Sequence, residues 1–92
     1  MRIVSFKRIE EFIVNHPDAE IPLSLWFHTA KNSLWDGPND IKGAFLSADY
    51  LENDHYIFDI KNNEYCVVAI VIFASKKIYV RYVGTLQEYC NL

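Results

Sequence analysis

Arg81 stands in an otherwise apolar segment, residues 78–83, where a guanidinium group needs an anionic partner or an anionic ligand. A cross-strand ion pair with Asp59 or Glu64 answers that need structurally, a bound phosphate answers it functionally, and the residue types leave both open. Just past Arg81, the residues Gly84, Thr85, Glu88 and Tyr89 supply a flexible glycine, a hydroxyl, a carboxylate and a phenol, which by themselves describe a capped turn. His55 opens a further segment beside Tyr56, a setting in which an imidazole at a sheet edge can transfer protons. Tyr79 and Tyr82 suit either packing or the stacking of a nucleic-acid base. His16, before Pro17, and His28, inside a helical pattern, read as partly exposed or capping side chains.

No phosphate loop, dinucleotide fingerprint, zinc spacing or nucleophile elbow occurs in the 92 residues, so neither metal nor cofactor is expected. The two cysteines, Cys66 within an apolar run and Cys90, are too few for a disulfide framework and are expected as reduced thiols, Cys66 as a small core side chain. Nine Lys and Arg against twelve Asp and Glu leave a formal charge of −3, so the molecule as a whole does not attract polyanions and any nucleic-acid site has to be a local patch. Seven of the nine cations, Arg2, Lys7, Arg8, Lys61, Lys76, Lys77 and Arg81, lie near the two ends of the chain. A fold that joins those ends concentrates them; otherwise they are scattered and solvated.

The elements that must position these residues follow from apolar spacing. With 51% hydrophobic residues and only 3 Gly and 3 Pro, the chain has enough apolar surface to offset chain entropy, and its length fits one domain over 1–92. Its longest apolar run, residues 65–74, is about half of the ~20 that a membrane-spanning helix requires, so no membrane association is expected. Charge at Arg2, Lys7 and Arg8 breaks any secretory apolar segment, which makes the cytoplasm the expected compartment. Ser5 is placed to cap a helix carrying Phe6, Ile9, Phe12 and Ile13 and ending at Pro17. A second helix starts near Pro22 and aligns Leu23, Trp26, Phe27, Ala30 and Leu34, and Pro38 starts a further single turn through Ile41 and Lys42. Strands are expected at 45–51, 55–60, 64–74 and 77–83, with the third, apolar on both faces, at the centre. The expectation is an α+β sandwich of two layers, two N-terminal helices on a four-stranded antiparallel sheet.

Chain order and particular residues resemble the HigB-type toxins of the RelE superfamily, the mRNA interferases of bacterial toxin–antitoxin modules. The likeness is carried by residues 1–5, by 15–20, by Trp26 and Trp35, by Asp40, Ile41 and Lys42 with Phe45 and Ala48, by 58–63, by 80–85 and by Glu88 with Tyr89. It implies a metal-independent endoribonuclease that cuts translated mRNA on the ribosome and is neutralised by a helix-turn-helix, HigA-like antitoxin. In that chemistry the ribose 2′-hydroxyl attacks the adjacent phosphate, which calls for a base, an acid and cationic charge at the phosphorane. The resemblance assigns Arg81 to the phosphate, Tyr89 with Glu88 to orientation or proton transfer, and Lys42 to RNA contact; Lys61 and Tyr79 are expected to join Lys42 in binding RNA. Two positions depart from the family pattern: Leu86 stands where the pattern has His, and Cys66 where it has Arg. Leucine neither transfers a proton nor binds phosphate. Either His55 takes over the proton transfer, or the chain binds antitoxin or ribosome with weak or no cleavage.

Overall fold

The computed structural model describes residues 1–90, with the backbone alone for Cys90, whose expected reduced thiol therefore lies outside the described residues. In chain order it contains β1 (Arg2–Val4), α1 (Lys7–Asn15), a 3-10 turn (Pro17–Ala19), α2 (Glu20–Lys31), α3 (Pro38–Ala44), β2 (Asp49–Tyr50), β3 (His55–Ile60), β4 (Tyr65–Ile72), β5 (Lys77–Thr85) and α4 (Leu86–Cys90). The strands form one sheet in the order β1-β5-β4-β3-β2, antiparallel throughout except where β1 runs parallel to β5. The class is the expected α+β, and the apolar β4 is the central strand.

One face of the sheet carries the core. Phe58, Ile60, Val67, Ala69, Val71, Ile78 and Val80 pack there with Ile9 of α1 and Leu23, Trp26 and Ala30 of α2. Phe58 is the hub: its ring meets Trp26 at 5.3 Å, Phe45 at 5.4 Å and Trp35 at 6.4 Å between centroids. The Trp26 and Phe45 contacts are edge-on and the Trp35 contact is stacked, and both geometries add to the area term of burial.

Five expectations need correction. The sheet has five strands, because residues 2–4 form β1, a strand of three residues too short to show an alternating pattern. Ser5 does not cap α1. Its φ of 68° turns the chain out of β1, Phe6 takes the cap position without a side-chain bond, and the Ser5 carbonyl accepts the Arg8 amide at 3.2 Å. Leu34 lies beyond α2, which ends at Lys31, and is 76% exposed. The strand expected at 45–51 shrinks to Asp49–Tyr50, because α3 runs on to Ala44 and Phe45 is drawn into the core against Trp35 and Phe58. The final strand runs on through Thr85, and the expected turn after it is the helix α4.

The hairpin turns fall where expected and use left-handed residues: Asn53 and Asp54 before β3, Lys61, Asn62 and Asn63 before β4, and Lys76 before β5. One turn is tied to the helix layer. Asp18 accepts hydrogen bonds from Lys61 Nζ at 2.5 Å and from the Tyr65 hydroxyl at 2.7 Å, and Lys61 also meets Glu64 at 3.3 Å. The Lys61 bond, then the Tyr65 bond, hold the Asp18 carboxyl below its ordinary value of 3.8. A carboxyl depressed on folding stabilises the fold above its unfolded pKa and loses that contribution as pH falls through the lower folded value. Asp18→Asn is therefore expected to lower the melting temperature at pH 7, with the gap to the unmodified chain closing below about pH 4. Thermal melts between pH 7 and pH 3 check this; a constant gap contradicts it.

Candidate functional site

The register defines which side chains face away from α1 and α2. His55 pairs with Ile70 and Ile70 with Tyr79; Ile57 pairs with Val68 and Val68 with Tyr82; Asp59 pairs with Cys66 and Cys66 with Gly84. Neighbours of this kind project to the same side of a sheet. These residues alternate with the buried Phe58, Val67, Ala69 and Val80, and so form the second face. The short helix α4 lies at one end of it, tethered by the Leu86 amide to the Glu64 carbonyl at 3.3 Å.

Two pockets adjoin on this face, joined through the partners Ile57 and Val68. The first, of ≈ 250 Å³, is lined by Leu51, Glu52, Asn53, His55, Val68 and Tyr89. Here His55 and Tyr89, far apart in sequence, come together. His55 Nδ1 lies 3.1 Å from the Glu52 carbonyl and 3.0 Å from the Asn53 carbonyl. Carbonyl oxygens only accept, so Nδ1 carries the hydrogen and the lone pair of the neutral ring is on Nε2. That is the tautomer a general base requires, and the left-handed turn at Asn53 and Asp54 holds it.

Tyr89 is placed by the cap that Thr85 and Glu88 form, as their spacing described, and by Tyr82, which the sequence did not group with them. Thr85 Oγ1 accepts the Glu88 amide at 3.0 Å and donates to Glu88 Oε1 at 2.8 Å, a cap for the first turn of α4. Glu88, expected at the reaction, thus has its carboxylate engaged in holding the helix that carries Tyr89. On the other side the Tyr82 ring packs against Tyr89 with centroids 5.5 Å apart. The Tyr82 hydroxyl donates to the Thr85 carbonyl at 3.3 Å, and burial pushes its phenol upward, so it stays protonated. Its ring lies across Gly84, where a Cβ would sit 2.3 Å from the hydroxyl and 2.6 Å from Cζ. Close approach, rather than backbone freedom, is the requirement for glycine here, and the Gly-Thr pair followed by Glu-Tyr was its sequence trace. Gly84→Ala is expected to cost about 1–3 kcal/mol by overpacking. In the Tyr82→Ala background the same change should cost much less, since the clashing ring is gone; equal costs in the two backgrounds, read from denaturant melts, contradict this contact.

The second pocket, of ≈ 120 Å³, is lined by Ser47, Asp49, Ile57, Asp59, Asn63, Cys66 and Leu86. The two departures from the family pattern therefore face the same small space. Cys66 is fully buried, as expected of a core thiol. Asp59 accepts the Asn63 amide at 2.5 Å, and Lys42 meets Asp49 at 3.3 Å on the β2 side of the pocket.

The remaining expected residues are dispersed. Lys61 is engaged with Asp18 and Glu64 on the helix side, and Tyr79 is half-buried on the second face next to Ile70. Arg81 is paired with neither Asp59 nor Glu64, which corrects the structural alternative for it: those carboxylates hold the Asn63 amide and Lys61. The ladder passes from Val68–Tyr82 directly to Ala69–Val80, so Arg81 is the extra residue of a β-bulge. It is exposed and lines a groove of ≈ 300 Å³ beside α1, with Arg8, Glu11, Phe12, Tyr82 and Val83, apart from the pocket of His55 and Tyr89. His16, the C-cap residue of α1, stacks flat on Phe12 at 4.0 Å, and the exposed His28 meets the edge of Phe27, the capping and exposed settings expected of them. Among the described residues no helix is long and apolar enough to cross a membrane.

A helix layer on one face of a small mixed sheet, with a histidine and a tyrosine lining one pocket on the other face, defines an α+β protein with a candidate site on its open sheet surface. Residues 19–92 match the model of the HigB toxins, described as the RelE-like toxic component of a toxin–antitoxin system. Over 92 residues the chain is 33% identical to the mRNA interferase toxin HigB of Escherichia coli strain K12, covering 97% of this chain and 88% of that protein. Over 94 residues it is 26% identical to the mRNA interferase HigB of Escherichia coli O6:H1, covering 100% and 91%. The chain belongs to the HigB toxin family.

Proposed function

We propose that this protein is an endoribonuclease toxin that cuts mRNA during translation on the ribosome, in the cytoplasm, and is held inactive by a helix-turn-helix antitoxin of HigA type. The observation that carries the reading is the shared pocket of His55 and Tyr89 on the open face of the sheet. The name mRNA interferase borne by the 33%-identical relatives supports the substrate. His55 Nε2 takes the 2′-hydroxyl proton, Tyr89 orients the scissile phosphate or returns a proton to the leaving 5′-oxygen, and the reaction needs no metal ion. Glu88 acts through the cap that holds Tyr89. Lys42 and Tyr79, at two sides of the face, contact RNA, and Arg81 supplies positive charge to phosphate. Lys61 contributes least, since Asp18 and Glu64 already satisfy it.

The test is the chemistry of the cut ends. Purified protein acting on mRNA in a translating extract is expected to leave a 2′,3′-cyclic phosphate and a 5′-hydroxyl. Cut RNA carrying a 5′-phosphate contradicts attack by the 2′-hydroxyl. The second pocket favours a second reading, binding without cleavage. Leu86 brings no proton there, and the carboxylates of Asp49 and Asp59 repel a phosphate. Intact mRNA after incubation of a translating extract with a high protein concentration selects that reading.

A further inference from the structure

β1 pairs only with Lys77, Ile78 and Tyr79, so beyond Tyr79 the outer edge of β5 faces α1 instead of another strand. The bulge at Arg81 falls in this unpaired stretch, and the groove it opens onto has Arg8 on its α1 wall and Arg81 on its β5 wall. Neither guanidinium has a hydrogen-bond or ion-pair partner among the described residues. Glu11 is the one carboxylate lining the groove, and Phe12, Val83 and the ring of Tyr82 supply apolar surface. Two like charges in one groove of an acidic protein repel each other unless an anion lies between them, and guanidinium matches phosphate oxygens in shape as well as charge. Tyr82 joins the groove to the open face, since the same ring packs against Tyr89.

We propose that the groove between α1 and the bulged edge of β5 binds the phosphate backbone of RNA through Arg8 and Arg81, away from the bond that is cut. The proposal rests on RNA being the substrate and refines the role of Arg81: it holds the strand instead of stabilising the reacting phosphorane. Arg8 is the added residue, brought next to Arg81 by the joining of the two ends of the chain.

The experiment is a salt titration of a short single-stranded RNA binding to the full chain, with Arg8→Gln, Arg81→Gln and the double variant. Both side chains are exposed, and circular dichroism confirms that each variant is folded. Each substitution is expected to lower the slope of log K against log salt by about 0.7 and to weaken binding about fivefold at 0.1 M salt. In the cleavage assay KM rises while kcat stays within about twofold, as for loss of uniform binding. Loss of kcat at unchanged KM in Arg81→Gln overturns the proposal, because it puts the side chain at the reacting phosphate. Unchanged salt slopes overturn it too, as does weaker binding of an acidic antitoxin with RNA affinity intact. A wild-type chain that binds RNA with the expected slopes but leaves translated mRNA uncut on the ribosome supports the clamp and refutes the nuclease reading, so the two failures are separable.

Discussion

His55→Ala is expected to lower the rate of mRNA cleavage by about 10²–10⁴-fold, the range for loss of a general base, with the fold retained. The argument rests on the tautomer. The carbonyls of Glu52 and Asn53 fix the hydrogen on Nδ1, which leaves Nε2 as the basic atom in the pocket shared with Tyr89. Those same bonds steady the turn into β3, so alanine removes a base and a tether together. His55→Asn separates the two, because its amide nitrogen reaches the position of Nδ1 and carries nothing at Nε2. Both variants should lose cleavage alike, and added imidazole should restore part of it in His55→Ala. Cleavage at the unmodified rate in either variant removes His55 from the reaction.

The second large effect is on stability. Phe58→Ala should cost about 3–5 kcal/mol, the range for deleting a large aromatic from a packed core. The ring is 1% exposed and is the shared neighbour of Trp26, Trp35 and Phe45, which hold α2, the segment after it and the end of α3 against β3. These groups cannot all close on the space left behind. Against a total of about 5–15 kcal/mol for a small domain, that loss removes roughly a fifth or more of the whole. The midpoint should fall by roughly 12 °C or more, at about 4–8 °C per kcal/mol for this size. A fall of a few degrees contradicts the placement of Phe58 at the hub.

Most of the architecture was legible because apolar spacing and core packing agree. β3 runs over His55–Ile60 as the alternation predicts, and β4 is central because it is apolar on both faces. What escaped was either too short for a period to show or decided by tertiary contact. β1 has three residues and gains its structure from the edge of β5; Phe45 reads as a strand residue until Trp35 and Phe58 draw it inward. The candidate site was legible as residue types more than as a place. His55 and Tyr89 are 34 positions apart, and only the register of β3, β4 and β5 together with α4 brings them to one pocket. The side of the sheet on which Arg81 acts could not be read from alternation at all, because the bulge that adds Arg81 to β5 breaks the period there. Glu88 and Lys61 carry charges that suit RNA chemistry, but Thr85 and Asp18 occupy them, which sequence does not display.

The central claim, cleavage of translated mRNA by the pocket of His55 and Tyr89, is tested most directly by adding the purified protein to a translating bacterial extract and mapping new mRNA 5′ ends. His55→Ala and a reaction with translation stalled before initiation serve as the two controls. New ends inside reading frames that disappear in both controls are the predicted result. Ends that persist in the His55→Ala reaction, or no new ends at high protein concentration, contradict it.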